Sequence, residues 1–335
     1  MTEPASRALS HRERLRAALR GEPPVDRPPV SLWQHFPGRD RTAGDLVAAT
    51  LAFQARHDLD LIKLMPTGMY SVVDYGATIA LAEGSGGSTR LVASPVQSPA
   101  DWGRLPAARP DRGELAVQVE VVRRLRAALG PDVPFIQTIF SPLTMAHKLA
   151  GDRFAADLHT TEADLRQGLE RFAADVVAFG RACLDAGADG FFFATQHASR
   201  EAGLPDDTFE RLGAAYDQRV LAALAEDERN WCSVLHLHGA GPRFELADRY
   251  PVHAVNWHDR ETAPSISAAL GQTRRALVAG IARRGVAALG AAGAAEQVRE
   301  AIAQAGGRRL VVAPGCVLPV DLDPAILLAL RQAVA

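Results

Sequence analysis

Short runs of β-branched and aromatic residues alternate with longer stretches rich in alanine, leucine and arginine along most of the chain. The short runs have the length and composition of buried strands, and the longer stretches place apolar residues at helical spacing. Eight runs predict strands, at residues 28–33, 59–65, 134–140, 189–195, 232–238, 252–257, 276–281 and 308–314. Eight strands that alternate with helices predict an α/β fold of the (β/α)8 or TIM-barrel type.

An open doubly wound sheet is the alternative α/β architecture, but the chain lacks the glycine-rich strand-to-helix turn typical of such sheets. Residues 83–90 (EGSGGSTR) form a turn signal between two alternating segments, which predicts a small β-hairpin insertion after the second strand. Residues 10–13 (SHRE) read as a capping box that opens the first helix. No low-complexity linker divides the chain, so we expect a single domain over residues 1–335.

Composition narrows the class of partner. Hydrophobic residues make up 47% of the 335 residues and the formal net charge is -2, so we expect a large core and a small-molecule partner rather than a nucleic acid. No apolar run approaches the length of a membrane span, and the first residues lack a signal-peptide core. Three scattered cysteines do not make a disulfide framework, so we expect a cytoplasmic protein.

The active site of a TIM barrel lies at the carboxyl ends of its strands, so polar residues at these ends are the site candidates. Any one histidine among them could equally be an exposed loop residue, whereas the whole set favours a shared pocket. The candidates are Gln34, His35, Tyr70, Asp74, Ser141, Gln196, His197, His236, His238, Asn256, Trp257, His258 and Cys316.

The segment VLHLHG carries the most specific pattern. Side chains two residues apart on a strand share a face, so His236 and His238 should point into the barrel while Leu235 and Leu237 face the helices. Cys316, after the last strand, could supply a third soft ligand, and two imidazoles with one thiolate suit a catalytic zinc site. The alternative is that both histidines bond to carboxylates or ligand oxygens and that Cys316 is a buried filler.

The other candidates differ in how far the sequence decides their role. Asn256 and His258 are expected to line the pocket, while Trp257 is left open between substrate wall and packing residue. Asp74 could face the pocket as an acid or be an ordinary loop carboxylate. Cys183 lies in a predicted helix and Cys232 at a strand start, so both are expected to be structural.

Several motifs together resemble the uroporphyrinogen decarboxylase superfamily. They are RERLRAALRGEPPVDRPPV, FQARHDLDLIKLMP, GADGFFFATQ, VLHLHG and APGCVLPVDLDPAILLAL, and they extend over nearly the whole chain. The resemblance implies a (β/α)8 barrel with its site in the mouth, and family members are often homodimers. It also implies one of two activities: decarboxylation of uroporphyrinogen, or zinc-dependent methyl transfer between a corrinoid and a thiol.

The first strand separates the two branches. The decarboxylases follow it with an arginine-rich R-Q-A-G-R-Y signature that holds substrate carboxylates, whereas this chain has WQHFPGRD. A tetrapyrrole with eight carboxylates needs several guanidinium groups, and this loop does not supply them. Asp74 lies in the region of the decarboxylases' essential aspartate, but its surroundings are closer to those of the methyltransferase-like relatives. The resemblance therefore favours the methyltransferase branch.

In the methyltransferase branch, the resemblance places zinc on an H-x-C motif after the fifth strand and on a cysteine in a P-G-C segment after the eighth. Here His236 and Cys316 match, and His238 stands in place of the first cysteine. The resemblance then implies an acceptor thiol at the open position of the metal, a corrinoid carried by a partner protein, and Asp74 and His258 as catalytic groups. A metal-independent decarboxylase-type lyase and a non-catalytic corrinoid- or tetrapyrrole-binding barrel remain the alternatives.

Overall fold

The central feature of the computed structural model is a curled sheet of seven parallel strands. The structure describes residues 9–24, 26–81 and 89–335. The seven strands lie side by side in the order β1, β4, β5, β6, β7, β8, β9. In chain order, the strands of the described residues are β1 (Ile62–Lys63), β2 (Thr78–Ala80), β3 (Arg90–Ala93), β4 (Phe135–Phe140), β5 (Phe191–Thr195), β6 (Val234–Leu237), β7 (Ala254–Trp257), β8 (Ala276–Ile281) and β9 (Leu310–Pro314).

The segment predicted as the first strand contacts both edges of this sheet. The amide of Ser31 donates to the carbonyl of Val312, and the amide of Val312 donates to the carbonyl of Pro29. On the other side, the amide of Asp60 donates to the carbonyl of Val30. Only a single bridge at Val30 forms here instead of the predicted strand, because the prolines at 28 and 29 have no amide hydrogen to donate.

Helices follow most strands and cover the outer face of the sheet. They are α1 (His11–Arg20), α2 (Ala43–His57), α3 (Tyr70–Val73), α4 (Gly113–Leu129), α5 (Pro142–Ala150), α6 (Arg153–Thr160), α7 (Glu162–Asp185), α8 (Asp206–Phe209), α9 (Ala215–Ala225), α10 (Leu246–Arg249), α11 (Ile266–Gln272), α12 (Val286–Ala305) and α13 (Pro324–Gln332). The predicted capping box is confirmed, since Ser10 Oγ accepts from the Glu13 amide and Glu13 Oε2 accepts from the Ser10 amide. No helix of the described residues is both long and apolar enough to cross a bilayer.

Strand alternation sorts the buried residues into two layers. Leu235 and Leu237 pack in the large layer between sheet and helices, while Val234 packs with Ile136 and Phe192 inside the curve of the sheet. The predicted outward direction of the two leucines is therefore confirmed. Nearer the carboxyl ends of the strands, inward-facing positions also carry polar side chains such as His236.

β2 and β3 pair antiparallel and form a separate two-stranded sheet. The predicted turn at residues 83–90 falls mostly on residues 82–88, which lie outside the described residues. Thr89, at the start of β3, lines the cavity described below.

At the amino-terminal ends of the strands, the buried carboxylate of Asp60 is enclosed by donors. Arg14 Nη1 and Arg27 Nη1 each lie 2.5 Å from its oxygens, His11 Nδ1 lies at 2.9 Å, and the Val30 amide donates at 2.9 Å. Burial alone would raise the pKa of Asp60, but the hydrogen bonds from His11 and Arg27 outweigh it and hold the pKa at about 2.

A second carboxylate at the same end is enclosed in the same way. Asp189 accepts hydrogen bonds from the guanidinium groups of Arg12 and Arg126, from the indole of Trp231 and from the amide of Phe135. The ion pairs at this end of the sheet are therefore satisfied within the chain itself.

Candidate active site

A cavity of about 610 Å³ opens at the carboxyl ends of the strands. Of the residues predicted from sequence, it is lined by His35, Gln196, His236, His238 and Cys316. The aromatic rings of Trp33 and Phe192 form part of its wall, so the cavity combines an apolar lining with a few polar groups, as is typical of small-molecule sites.

Four side chains converge at one side of this cavity. His236, His238, His258 and Cys316 each offer one ligating atom, and these atoms all lie within 4.8 Å of one another. The Sγ atom of Cys316 is 3.8 Å from His236 Nε2 and 3.8 Å from His238 Nδ1. Residues separated by some 80 positions in the chain are thus brought to a common point by the ends of β6, β7 and β9.

The amide of Asn256 fixes the tautomer of His236. Its Nδ2 donates to the carbonyl of Val278 at 2.6 Å and to that of Pro314 at 3.1 Å, so its Oδ1 faces His236 Nδ1 at 2.6 Å. A carbonyl oxygen can only accept, and therefore Nδ1 must carry the proton. The lone pair of His236 is left on Nε2, which is the atom that faces Cys316.

Gly315 allows the close approach of the last strand to β7. A Cβ atom at this position would lie 2.7 Å from the carbonyl oxygen of Trp257 and 2.9 Å from the Cα of His258. Backbone atoms cannot yield as a flexible side chain can, so a side chain here would push Cys316 away from His258. The glycine of the PGC segment is thus explained by packing.

The three imidazoles of the cluster are neutral at neutral pH. Burial, reinforced by the neighbouring rings, holds the pKa of His236 well below its usual value. Burial and the charge of Arg283 lower the pKa of His238 to about 4 and that of His258 to about 3. A neutral imidazole keeps a lone pair for a metal ion.

The cluster fits a zinc ion on three counts. Nitrogen and sulfur donors are the ligands that zinc prefers, and ordinary Zn–N and Zn–S bonds at a tetrahedral angle place N and S about 3.6 Å apart. The two observed Sγ···N distances of 3.8 Å are close to this value. In addition, His258 Nε2 is buried and has no hydrogen-bond partner among the described residues. A bound metal ion, or a ligand held by that ion, would supply the missing partner.

Asp74 lies away from the cavity and caps a helix. Its Oδ1 accepts from the amide of Glu114 at 2.7 Å, and its Oδ2 accepts from the amide of Leu115 at 2.9 Å. Both oxygens thus satisfy free amides in the first turn of α4. This placement favours the structural interpretation of Asp74 over the catalytic one, since both oxygens are engaged within the fold.

Tyr70 and Ser141 also have local structural partners and do not line the cavity. The hydroxyl of Tyr70 donates to the carbonyl of Thr138, and Ser141 Oγ caps α5 through the amide of Thr144. Both hydroxyls are thus used within the fold, which favours a structural role over a contact with substrate.

Four further candidates are not among the residues that line the cavity. The indole of Trp257 is fully buried and donates to the carbonyl of Pro264 at 2.9 Å. His197 Nε2 lies 3.1 Å from Nδ1 of His147, and Gln34 lines a separate small pocket. Asn256 reaches the site only through His236, and so it positions a ligand rather than a substrate.

Sequence reasoning missed four cationic residues that line the cavity: Lys63, Lys148, Arg283 and Arg284. Lys63 is the last residue of β1, Arg283 and Arg284 follow β8, and Lys148 lies in α5. The available signal was compositional, since the chain contains only two lysines.

Comparison with known proteins decides the family. The family model described as Uroporphyrinogen decarboxylase (URO-D) matches residues 10–335. The chain belongs to this family. The resemblance drawn from the sequence motifs is thereby confirmed.

Curated relatives of this URO-D family member include methyltransferases. Methylcobamide:CoM methyltransferase MtbA of Methanosarcina mazei is 26% identical over 172 residues, which are 51% of this chain and 49% of that protein. Methylcobamide:CoM methyltransferase MtaA of Methanosarcina barkeri is 29% identical over 150 residues, 44% of this chain and 42% of that protein. The matched part thus spans about half the length of these relatives or less.

A solved structure described as a methyltransferase from Methanosarcina mazei shares the fold. It superimposes with a TM-score of 0.83 over 97% of this chain and 98% of that chain, at 21% sequence identity. At this sequence identity the similarity shows a shared fold. It does not show a shared activity, which depends on the residues of the site.

Proposed function

We propose that this URO-D family member is a zinc-dependent methyltransferase that moves a methyl group between a corrinoid and a thiol-type acceptor. The observation that carries the proposal is the convergence of His236, His238 and Cys316 on one cavity. Relatives named as methylcobamide:CoM methyltransferases supply the class of methyl carrier. Segment 29–31, bonded to both sheet edges, supports a closed (β/α)8 barrel around this site.

Zinc would be held by three donors, His236, His238 and Cys316, which would leave one position open for the acceptor thiol, with His258 beside that position in the same cluster. When bound, zinc would supply a Lewis acid that favours the thiolate form of the acceptor. The chain's own contribution is positional: Asn256 keeps the lone pair of His236 on Nε2, and Gly315 lets Cys316 reach the cluster. The rings of Trp33 and Phe192 exclude water from the adjoining wall.

The reaction balances without a further reactant. The acceptor thiol loses its proton and its sulfur forms a bond to the methyl carbon, while the carbon–cobalt bond breaks and leaves its electron pair on the corrinoid. A corrinoid carried by a partner protein would present the methyl group at the open mouth of the cavity. Cavity residues Gln196 and His35 remain available for hydrogen bonds to the acceptor.

Decarboxylation of the uroporphyrinogen type is the alternative activity. It would require an acidic group such as Asp74 to face the substrate, whereas both Asp74 oxygens accept from amides of α4. The placement of Asp74 therefore favours methyl transfer.

Metal content and a methyl-transfer assay test the proposal. We expect one zinc per chain in the wild type, loss of that zinc in Cys316→Ala and in His236→Ala, and retention in Cys183→Ala, which removes a buried cysteine from α7. With methylcobalamin and a thiol, the wild type should convert the methylated cobalamin to its demethylated form, followed by absorbance, and the zinc-free variants should not. Absence of stoichiometric zinc, or release of carbon dioxide from uroporphyrinogen by the wild type, would contradict the proposal.

A further inference from the structure

Lysine is almost absent from this chain, and both of its copies lie in the cavity. Of 37 lysines and arginines, only Lys63 and Lys148 are lysines, and both line the cavity. Everywhere else the chain uses arginine. Lysine differs from arginine in being a compact point charge with three donors on a flexible stem, and so its restriction to one cavity indicates a shared task there.

Lys63 is buried, and no carboxylate among the described residues pairs with it. Its side chain is on the inner face of β1, the residue is 7% exposed, and Nζ lies 4.4 Å from the ring centre of Phe192 and 5.6 Å from that of Trp33. The polar contact recorded for its ammonium group is the sulfur of Met65 at 2.8 Å, which is a weak acceptor. Burial lowers the pKa of Lys63 to about 7.

Lys148, on α5, is half-buried and also lies against an aromatic ring. Its Nζ donates to the carbonyl of Gly68 at 2.9 Å and lies 4.5 Å from the ring centre of Phe140. One of its three donors is therefore used, and no carboxylate accepts from the others among the described residues. Burial lowers the pKa of Lys148 to about 8.

The other cations of the cavity do not share this condition. Arg283 is paired with Glu261 at 3.1 Å, and Arg284 is exposed to water. Among the described residues that line the cavity there is no aspartate or glutamate. A charge removed from water is costly unless it is paired, and none of these lining residues supplies a carboxylate to pair with Lys63 or Lys148. An anionic ligand could supply that counter-charge.

His35 marks the place where the two ammonium groups act together. Its pKa is lowered to about 4, first by burial and then by the charges of both Lys63 and Lys148. Its ring lines the cavity, and its Nδ1 is buried with no hydrogen-bond partner among the described residues. Two ammonium groups and an unsatisfied imidazole nitrogen thus line the same cavity.

We propose that Lys63, Lys148 and His35 bind the anionic group, a carboxylate or sulfonate, of the molecule that occupies the cavity. The inference rests on the proposed function only in treating that molecule as the methyl acceptor, whose thiol would lie toward the His236–Cys316 side. An anion held between the lysines would supply the missing counter-charge and fix the orientation of the acceptor.

The scarcity of lysine permits a direct test on the unmodified full chain. Protein labelled with ¹³C,¹⁵N-lysine should show two side-chain resonances, which Lys63→Met and Lys148→Met assign. We expect butyrate and propane-1-sulfonate to shift both resonances, while butyramide, which has similar size and no charge, leaves them in place. These probes contain no thiol, so the result does not depend on zinc or on methyl transfer.

Calorimetry with propane-1-sulfonate measures the contribution of each cation. We expect Lys63→Met and Lys148→Met each to weaken binding about ten-fold or more, as for loss of a charge-assisted hydrogen bond. Arg284→Met, which removes an exposed cation from the same cavity, should change binding less than about two-fold. An equal loss in Arg284→Met, unshifted lysine resonances in the wild type, or shifts with inorganic phosphate but with neither organic anion would overturn the proposal.

Discussion

At the amino-terminal ends of the strands, Asp60 and Asp189 are buried and each is enclosed by arginine side chains and backbone amides. At the carboxyl ends, Lys63 is buried and Lys148 is half-buried, with no carboxylate beside either among the described residues, and His258 has a ring nitrogen without a partner in the same part of the chain. The same sheet therefore has one end whose charges are neutralised within the chain and one end whose polar groups lack partners. The first arrangement stabilises the fold, and the second has the properties of a binding site.

The largest expected effect breaks the neutralised end. Asp60→Ala would leave Arg14 with Asp26 alone and would remove the carboxylate that pairs with Arg27, and we expect a loss of about 3–5 kcal/mol in the free energy of unfolding, measured with urea. Asp111→Ala, which removes an exposed carboxylate paired with Arg109, is the control and should leave the stability unchanged. Equal stability of Asp60→Ala and wild type would show that the enclosed ion pairs do not stabilise this end.

A second prediction compares two buried asparagines at opposite ends. Asn256→Ala removes the acceptor that orients His236, and we expect zinc affinity to fall about 10- to 100-fold with the fold retained. Asn230→Ala removes a hydrogen-bonding asparagine before β6, at the neutralised end, and should leave zinc affinity as it is. Competition with a chromophoric chelator gives both affinities. A similar fall in both variants would indicate a general loss of structure.

The smallest expected effect concerns the free energy of unfolding as a function of pH. The two ends of the sheet should contribute to it in different pH ranges. In zinc-free protein, His238 and His258 have folded pKa values of about 4 and about 3, below their usual 6.5, so the unfolded chain binds more protons and stability falls as pH drops from 6.5 toward these values. Asp60 has a folded pKa of about 2 against a usual 3.8, so its contribution is lost only below pH 3.8.

Urea unfolding between pH 7 and pH 2 tests this order. We expect His238→Ala to reduce the slope of stability against pH between 6.5 and 4 and to leave the slope below pH 3.8 unchanged. A change confined to the lower range would contradict the assignment of the two ranges to the two ends.

The sequence predicted the strands and the core of the cluster because alternation is a local property. Seven of the eight predicted runs contain a parallel strand of the sheet, and the i, i+2 spacing of His236 and His238 placed both rings inside. The same parity could have placed Trp257: it pairs with Leu237, which faces the helices, whereas Asn256 pairs with His236.

The roles of isolated loop residues could not be predicted in this way. Asp74 caps a helix that begins 39 residues later in the chain, and nothing near Asp74 in the sequence identifies that partner. Lys63 lies in the middle of the predicted run 59–65 although it is the last residue of β1 in the structure, so the end of the predicted run does not mark it. The sequence around a polar residue near a strand end is the same whether its side chain accepts from a distant amide or faces the cavity.

The three hydrogen bonds of Asn256 join four consecutive strands, β6 through His236, β7 itself, β8 through Val278 and β9 through Pro314. A displacement of the His236 ring must therefore be shared by carbonyl groups of two other strands. Binding of a metal ion to the cluster should therefore slow amide hydrogen exchange along β7 to β9 as well as at the ligands. Metal binding would thus rigidify several strands of the sheet and not only the site.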